Sequence, residues 1–277
     1  MKLEGAKTAN RLVEEIKRKV EKIKENGINP TLVTMRIGED PSSASYERGL
    51  KKRCEEVGMN MKSYTFTVEE KEKALDILSL AGRSNEVGGI LLFQPLPAEL
   101  DAKEFIQRIP PEKDVDCVRM ENIAKVFAGD FKGHCPSTPL AVMEMIKDHQ
   151  IELKGKDVLI INRTMVVGKP LGMMMLKEDA TVTLAHSKTK NLKEKAKKAD
   201  ILCTAMGKSE WVDEEWVSEN QYIFDIGIAF TKEGKLTGDV KEDGIKDVVK
   251  GYSPVPGGVG AVTNVVLLKQ VLQFYSL

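Results

Sequence analysis

The sequence predicts an α/β protein in two domains, with a doubly wound parallel sheet in the C-terminal one. Three observations carry that expectation. Helix-period apolar runs alternate with short β-branched or Leu/Ile-rich runs along the whole chain. Four of the short runs, at residues 158–161, 180–185, 201–205 and 222–226, are almost continuously apolar, as in strands covered on both faces. The pattern also resets near residues 140–150, in a chain of 277 residues that is long enough for two cores.

The elements follow in order. Leu12, Val13, Ile16, Val20 and Ile23 recur at helical spacing, and Gly27 ends that helix. Residues 31–37 read as a strand closed by Gly38-Glu-Asp-Pro41, and 43–57 as a helix stopped by Gly58. A strand at 61–67, a helix at 71–80 and a buried strand at 89–93 come next. Pro95-Leu-Pro97 and Pro110-Pro111-Glu112-Lys113 then break the regular pattern. A helix at 139–149 leads into the four-strand half, which is expected to be Rossmann-like. The last helix, at 262–274, is long enough to return to the first domain. The expected division is therefore 1–143 plus 262–277 for one domain and 144–261 for the other.

Composition bounds the partners. The 42 basic and 42 acidic residues cancel, so bulk charge offers no footprint for nucleic acid or an anionic membrane. Lysine-rich stretches such as 193–198 read as solvated helix faces. Cys54, Cys117, Cys135 and Cys203 are far apart, and His134, His149 and His186 have no ligand spacing, so neither a disulfide framework nor a metal site is expected. Residues 1–10 lack the apolar stretch of a signal peptide, and no apolar run is long enough to span a membrane. The expectation is a reducing, cytoplasmic compartment.

The segment from Asp157 to Gly172 reads as strand, loop and helix start. Pro170 suits a first helical turn, and free N–H groups at that terminus would attract a pyrophosphate. The G-x-G-x-x-G fingerprint is absent, and Asn162 stands in place of its first glycine, a residue that tolerates left-handed backbone. An α/β turn holding no ligand stays open for this segment alone. The second strand ends His186-Ser187-Lys188-Thr189 without the carboxylate that holds the ribose hydroxyls of NAD. Arg163 stands where a guanidinium could meet a 2′-phosphate. Both point to NADP, with NAD not excluded and a pair of merely exposed charges as the alternative.

Six segments together resemble the methylenetetrahydrofolate dehydrogenase/cyclohydrolase family. They are Pro111-Glu-Lys-Asp-Val-Asp116, Val167-Gly-Lys-Pro170, His186-Ser-Lys-Thr189, Asp225-Ile-Gly-Ile228, Gly238-Asp-Val240 and Pro254-Val-Pro-Gly-Gly-Val-Gly260, in order and register from end to end. The resemblance implies an N-terminal α/β catalytic domain, a C-terminal Rossmann-like domain, a folate cleft between them and a homodimer. It puts Asp116 against the pterin, Tyr46 in the substrate cleft, and Pro254, Pro256, Gly257 and Gly258 beside the ligands. It assigns Asn162, Arg163, Thr164, Gly168, Ser187 and Ile228 to the dinucleotide. A carboxylate suits a pterin because two oxygens accept paired N–H donors in one plane, and loop capping is the alternative role for Asp116.

Two departures bear on activity. Family members that hydrolyse the methenyl intermediate carry Tyr-x-x-x-Lys, with the lysine one turn beyond the tyrosine on one helix face. Here that position is Leu50, and Lys51 and Lys52 are turned progressively away from the face. The family's Gln-Leu-Pro-Leu-Pro segment reads Phe93-Gln94-Pro95-Leu96-Pro97, with Phe93 in the glutamine's place. In a strand, a one-residue displacement would send Gln94 to the opposite side. Cys117 also replaces the usual glycine, and Ser137 a common cysteine.

Hydride transfer needs chiefly orientation, whereas hydrolysis of the methenyl cation needs proton shuttling. The expectation is an NADP-dependent methylenetetrahydrofolate dehydrogenase whose cyclohydrolase is weak or absent. The rivals are a fully bifunctional enzyme, an NADP oxidoreductase acting on a small hydroxy acid or quinate-like substrate, and a non-enzymatic folate- or nucleotide-binding regulator.

Overall fold

The computed structural model describes residues 1–231 and 233–276. They fall into two compact units: Arg11–Ser137 with Asn264–Leu277, and Met1–Asn10 with Thr138–Thr263. The first unit opens on α1 (Gly5–Glu25), whose early residues belong to the other unit. It continues with β1 (Thr31–Ile37), α2 (Pro41–Val57), β2 (Asn60–Phe66), α3 (Lys71–Arg83), β3 (Val87–Leu92), α4 (Ala102–Ile106) and α5 (Met120–Phe127). Its three strands are parallel in the order β2-β1-β3. The central β1 and the apolar β3 bury nearly every side chain, while β2 at the edge leaves all of its side chains at least partly exposed.

Val33, Met35, Ile37, Ile90 and Leu92 from the sheet pack with Leu75 and Leu78 of α3 and with Phe105 and Ile109. Gly88 and Gly89 leave room on β3 for the returning C-terminal segment. A Cβ on Gly88 would overlap the Tyr275 ring, and one on Gly89 would press on Val115 and Val271.

The second unit contains α6 (Ser137–Asp148), β4 (Asp157–Ile161), α7 (Gly168–Lys177), β5 (Thr181–Ala185), α8 (Leu192–Lys198), β6 (Ile201–Thr204) and β7 (Tyr222–Asp225). Then come the short β8 (Ala229–Phe230) and β9 (Leu236–Thr237), α9 (Glu242–Ile245), β10 (Gly251–Tyr252) and α10 (Val259–Val271), whose residues from Asn264 on belong to the first unit. The main sheet is wholly parallel in the order β10-β7-β6-β4-β5. Since β5 lies to one side of β4 and β6 to the other, the strand order reverses at β4. That switch point is where open α/β sheets bind ligands, outside the carboxyl ends of the strands.

The first ten residues differ from the expected division. They sit in the second unit because Leu3 is fully buried there. The Leu3 N–H donates to the Tyr252 carbonyl at 2.7 Å, and the Gly5 N–H to that of Gly257 at 2.8 Å. All four cysteines are free and buried. Among the described residues no helix is long and apolar enough to cross a membrane, and no group of three or more His, Cys, Asp or Glu could hold a metal ion.

Candidate active site

Helix α2 positions Tyr46. Asp40 caps it, accepting from the N–H groups of Ser42 and Ser43 at 3.2 and 2.8 Å, with Pro41 in the first turn. Gly58, at φ +72°, ends it. The Tyr46 ring meets Phe93 edge-on, with centroids 6.0 Å apart. Burial raises the pKa of its hydroxyl, and the nearby Asp116 carboxylate pushes in the same direction. Burial likewise pushes Asp116 up to about 7, with a smaller contribution from Asp114. Tyr46, Phe93 and Asp116 are thus brought together in this unit.

Leu50, one turn on from Tyr46, is fully buried, whereas Lys51 and Lys52 are exposed. Strand β3 stops at Leu92, so strand alternation does not govern the residues beyond it. Phe93 still donates its N–H to the Met35 carbonyl at 2.9 Å and turns its ring to Tyr46, and Gln94 is exposed.

The neighbours of Asp116 divide the work of the Pro111–Asp116 motif. Asp114, not Asp116, is the loop cap: its carboxylate accepts from the N–H groups of Val118 (3.0 Å) and Arg119 (2.9 Å) and from the Asn122 amide (2.9 Å). Lys113 is buried, donating to the carbonyls of Gly82 (2.8 Å) and Ser84 (2.7 Å) under the Phe274 ring. Burial lowers its pKa. Among the described residues no hydrogen bond reaches the Asp116 carboxylate, which leaves it available to a ligand's N–H groups. Cys117 takes φ +56°, the left-handed backbone that favours the glycine it replaces. Ser137 accepts from the Gln270 amide at 3.0 Å.

In the second unit, Asn162 acts through its side chain and not through left-handed backbone, for its φ is not positive. Its Nδ2 donates to the Ala205 carbonyl at 2.6 Å, tying the loop after β4 to the end of β6 across the switch point. Its Oδ1 accepts from the Thr164 N–H and hydroxyl, both at 2.8 Å, and from the Gly168 N–H at 3.0 Å. A Cβ on Gly168 would overlap the Asn162 backbone. The expected free N–H groups at the start of α7 are therefore taken: Val167 donates to the Thr164 hydroxyl, Gly168 to Asn162 and Lys169 to the Thr164 carbonyl. Pro170 has none to offer.

Outward, the loop presents the exposed Arg163 and Val166. At the end of β5, His186 to Thr189 form a tight turn with Ser187 exposed. At the end of β7, Ile228 is 64% exposed. Apolar faces and a guanidinium at the carboxyl ends of the strands, with no carboxylate after β5, fit a phosphorylated dinucleotide.

The residues from Pro254 to Gly258 form a tight turn before α10. A Cβ on Gly258 would overlap the Pro254 carbonyl, and Gly257 takes φ +101°. Pro254 and Gly258 are buried while Pro256 and Gly257 are exposed.

A buried pair of carboxylates supports this unit, and only the motifs hint at it. Asp225 accepts from the N–H groups of Gly227, Asp239 and Val240 at 3.0, 3.1 and 2.9 Å. Asp239 accepts from Met206 at 2.6 Å and Lys208 at 2.7 Å. A Cβ on Gly227 would overlap the Asp239 carboxylate, and one on Gly238 that of Asp225. The signal in the sequence is the pairing of Asp-x-Gly with Gly-Asp.

These features define a two-domain α/β protein with a dinucleotide-binding half. The family model for the tetrahydrofolate dehydrogenase/cyclohydrolase catalytic domain matches residues 3–116, and that for its NAD(P)-binding domain matches 136–277. The chain belongs to this tetrahydrofolate dehydrogenase/cyclohydrolase family. It is 41% identical to Bifunctional protein FolD 1 of Desulfitobacterium hafniense, over 94% of this chain and 93% of that one. Its structure is similar to the bifunctional enzyme FolD of Campylobacter jejuni, with a TM-score of 0.96, 31% identity and coverage of 100% and 98%. It is also similar to the Trypanosoma brucei methylenetetrahydrofolate dehydrogenase-cyclohydrolase crystallised with NADP and an inhibitor, with a TM-score of 0.92, 27% identity and coverage of 100% and 97%.

Proposed function

We propose that this chain oxidises 5,10-methylenetetrahydrofolate to 5,10-methenyltetrahydrofolate with NADP, and that hydrolysis of the methenyl product is weak or absent. The observation that carries the second clause is the apolar pairing beside Tyr46. Leu50 is fully buried and the Phe93 ring packs on Tyr46, at the positions where the family's lysine and glutamine would handle protons. Asp116 would grip the N–H edge of the pterin, and Tyr46 would hold the folate in place. The bound nicotinamide supplies the hydride acceptor. Arg163 would engage the 2′-phosphate, with Ser187 and Ile228 beside it and Asn162, Thr164 and Gly168 shaping the loop beneath. The turn from Pro254 to Gly258 would contact the ligands through its exposed Pro256 and Gly257.

The first unit is then the folate-binding domain and the second the dinucleotide-binding domain, in a cytoplasmic homodimer, a state that sedimentation measures directly. A fully bifunctional enzyme is the second reading. The relatives named as bifunctional favour it, as does a carboxyl group at Asp116 that titrates near neutrality. A paired assay decides. One arm follows NADP reduction with methylenetetrahydrofolate, and the other follows methenyltetrahydrofolate decay above its spontaneous rate. No cofactor reduction overturns the dehydrogenase, and fast catalysed decay favours the second reading.

A further inference from the structure

Away from Tyr46 and Asp116, the unit Arg11–Ser137 with Asn264–Leu277 has a cavity of about 470 Å³, lined by Lys19, Lys125, Lys132, Lys269, His134 and Glu112 among others. Four lysines converge on it from α1, α5, the loop after α5 and α10. Glu15 offsets part of that charge, lying 3.4 Å from Lys19 and 3.6 Å from Lys269. The Lys125 side chain reaches over Gly133, beside His134. In a chain whose charges otherwise cancel, this is a local excess of positive charge in a concave site.

His134 supplies the second observation. The ring is buried, 4% exposed, and its Nε2 lies 2.8 Å from the Glu112 carbonyl. A carbonyl only accepts, so Nε2 carries the hydrogen and Nδ1 of the neutral ring is a bare acceptor. Among the described residues that Nδ1 is buried without a hydrogen-bond partner. A buried orphan acceptor costs stability unless a donor reaches it.

A ligand that met both features would offer anionic oxygens to the lysines and a donor such as an O–H to Nδ1. A metal cation is repelled by the lysines, and an ionised carboxylate has no O–H. A singly protonated phosphate group has both. We propose that this cavity binds a phosphate group, free or carried as a monoester on a small molecule, with Lys125 and Lys132 on its oxygens and His134 taking its proton-bearing oxygen.

The chain has three histidines, so the imidazole signals of the full-length protein are few enough to follow individually by ¹⁵N NMR. Inorganic phosphate, methyl phosphate and sulfate are titrated near pH 6.5 at matched ionic strength. The result expected is a saturable movement of the His134 signals with a phosphate, at least fivefold weaker with sulfate. Tighter binding of methyl phosphate identifies an ester as the source, and tighter binding of inorganic phosphate the free ion. Lys125→Ala/Lys132→Ala, on exposed side chains, lowers the affinity about tenfold, as loss of charge-assisted hydrogen bonds requires. Equal response to sulfate, no response at His134, or unchanged affinity in the double variant overturns the site. Arg163→Ala leaves the His134 response unchanged, which separates it from phosphate bound in the other unit.

Discussion

Asp116→Asn removes a charge that the fold holds at a cost. Burial raises the carboxyl from 3.8 to about 7, so the folded state binds a proton that the unfolded chain has already released. The stability this supplies is fully present below pH 3.8 and is lost as pH rises through about 7. Every tenfold gain in proton affinity on folding is worth about 1.4 kcal/mol, so the carboxylate costs at most about 4 kcal/mol at neutral pH. About 2 kcal/mol of that accrues between pH 5 and 7. Asparagine keeps the shape and has nothing to ionise, so the variant should gain stability relative to the wild type as pH rises, while losing folate turnover.

The assay has to read the right unit. Both tryptophans, Trp211 and Trp216, lie in the other one, so their fluorescence is a control that should not move. Hydrogen exchange of β1 and β3 peptides, corrected for intrinsic rates, reports the opening free energy of the Asp116 unit. The expected result is a difference between variant and wild type that widens by about 2 kcal/mol from pH 5 to 7. Parallel pH profiles would refute this reasoning, because they would mean that Asp116 is ionised at no cost and that its burial does not hold a proton near neutrality.

Leu50→Lys alone puts an ammonium where no water reaches and should destabilise by about 3 kcal/mol or more, with little gain in methenyl hydrolysis. Adding Phe93→Gln supplies a polar partner and should raise hydrolysis about tenfold over the single variant; an equal gain from Leu50→Lys alone would clear Phe93 of any part. At left-handed Cys117, Gly should be more stable than Ala by about 1 kcal/mol, the reverse of their usual order, as chemical denaturation would read. Arg163→Ala should raise the KM for NADP about tenfold or more and leave that for NAD within about twofold. Equal weakening of both would mean that Arg163 does not meet the 2′-phosphate.

Long elements are legible in the sequence because their periodicity spans several turns or pleats. The strands of both parallel sheets lie within a residue or two of where apolar runs place them, except for β10, which has two residues and too little length for a period. The β8–β9 pair and the short helices α4 and α5 escape for the same reason. At the site, Tyr46 and Asp116 are legible only through family segments, since nothing local marks a carboxyl for burial. Asn162 stands out in the sequence for the wrong property. Its backbone is expected to substitute for glycine, but the three N–H and O–H groups converging on its Oδ1 are what shape the loop. His134 carries no signal in sequence, because an orphaned ring nitrogen exists only once the chain has folded around it.

The motifs that identify the family divide into groups proposed to meet a ligand and groups that hold the first in place. Lys113 and Asp114 are taken up by backbone, and Asp116, two residues on, is left with no hydrogen-bond partner among the described residues. The same division recurs in the second unit. Asp225 is driven up to about 7 by burial even though three backbone N–H groups pull the other way, so its charge is a standing cost. That cost sustains the alignment of the chain after β7 with the loop at 206–208 that follows β6, through Asp239 and the two glycines that give both carboxylates room. Ile228 and the loop of Asn162 are positioned by these interactions. Substituting Gly227 or Gly238 should therefore damage cofactor binding through displaced loops, although no ligand-facing side chain is changed. Keeping the ligand-facing residues alone would not preserve the site.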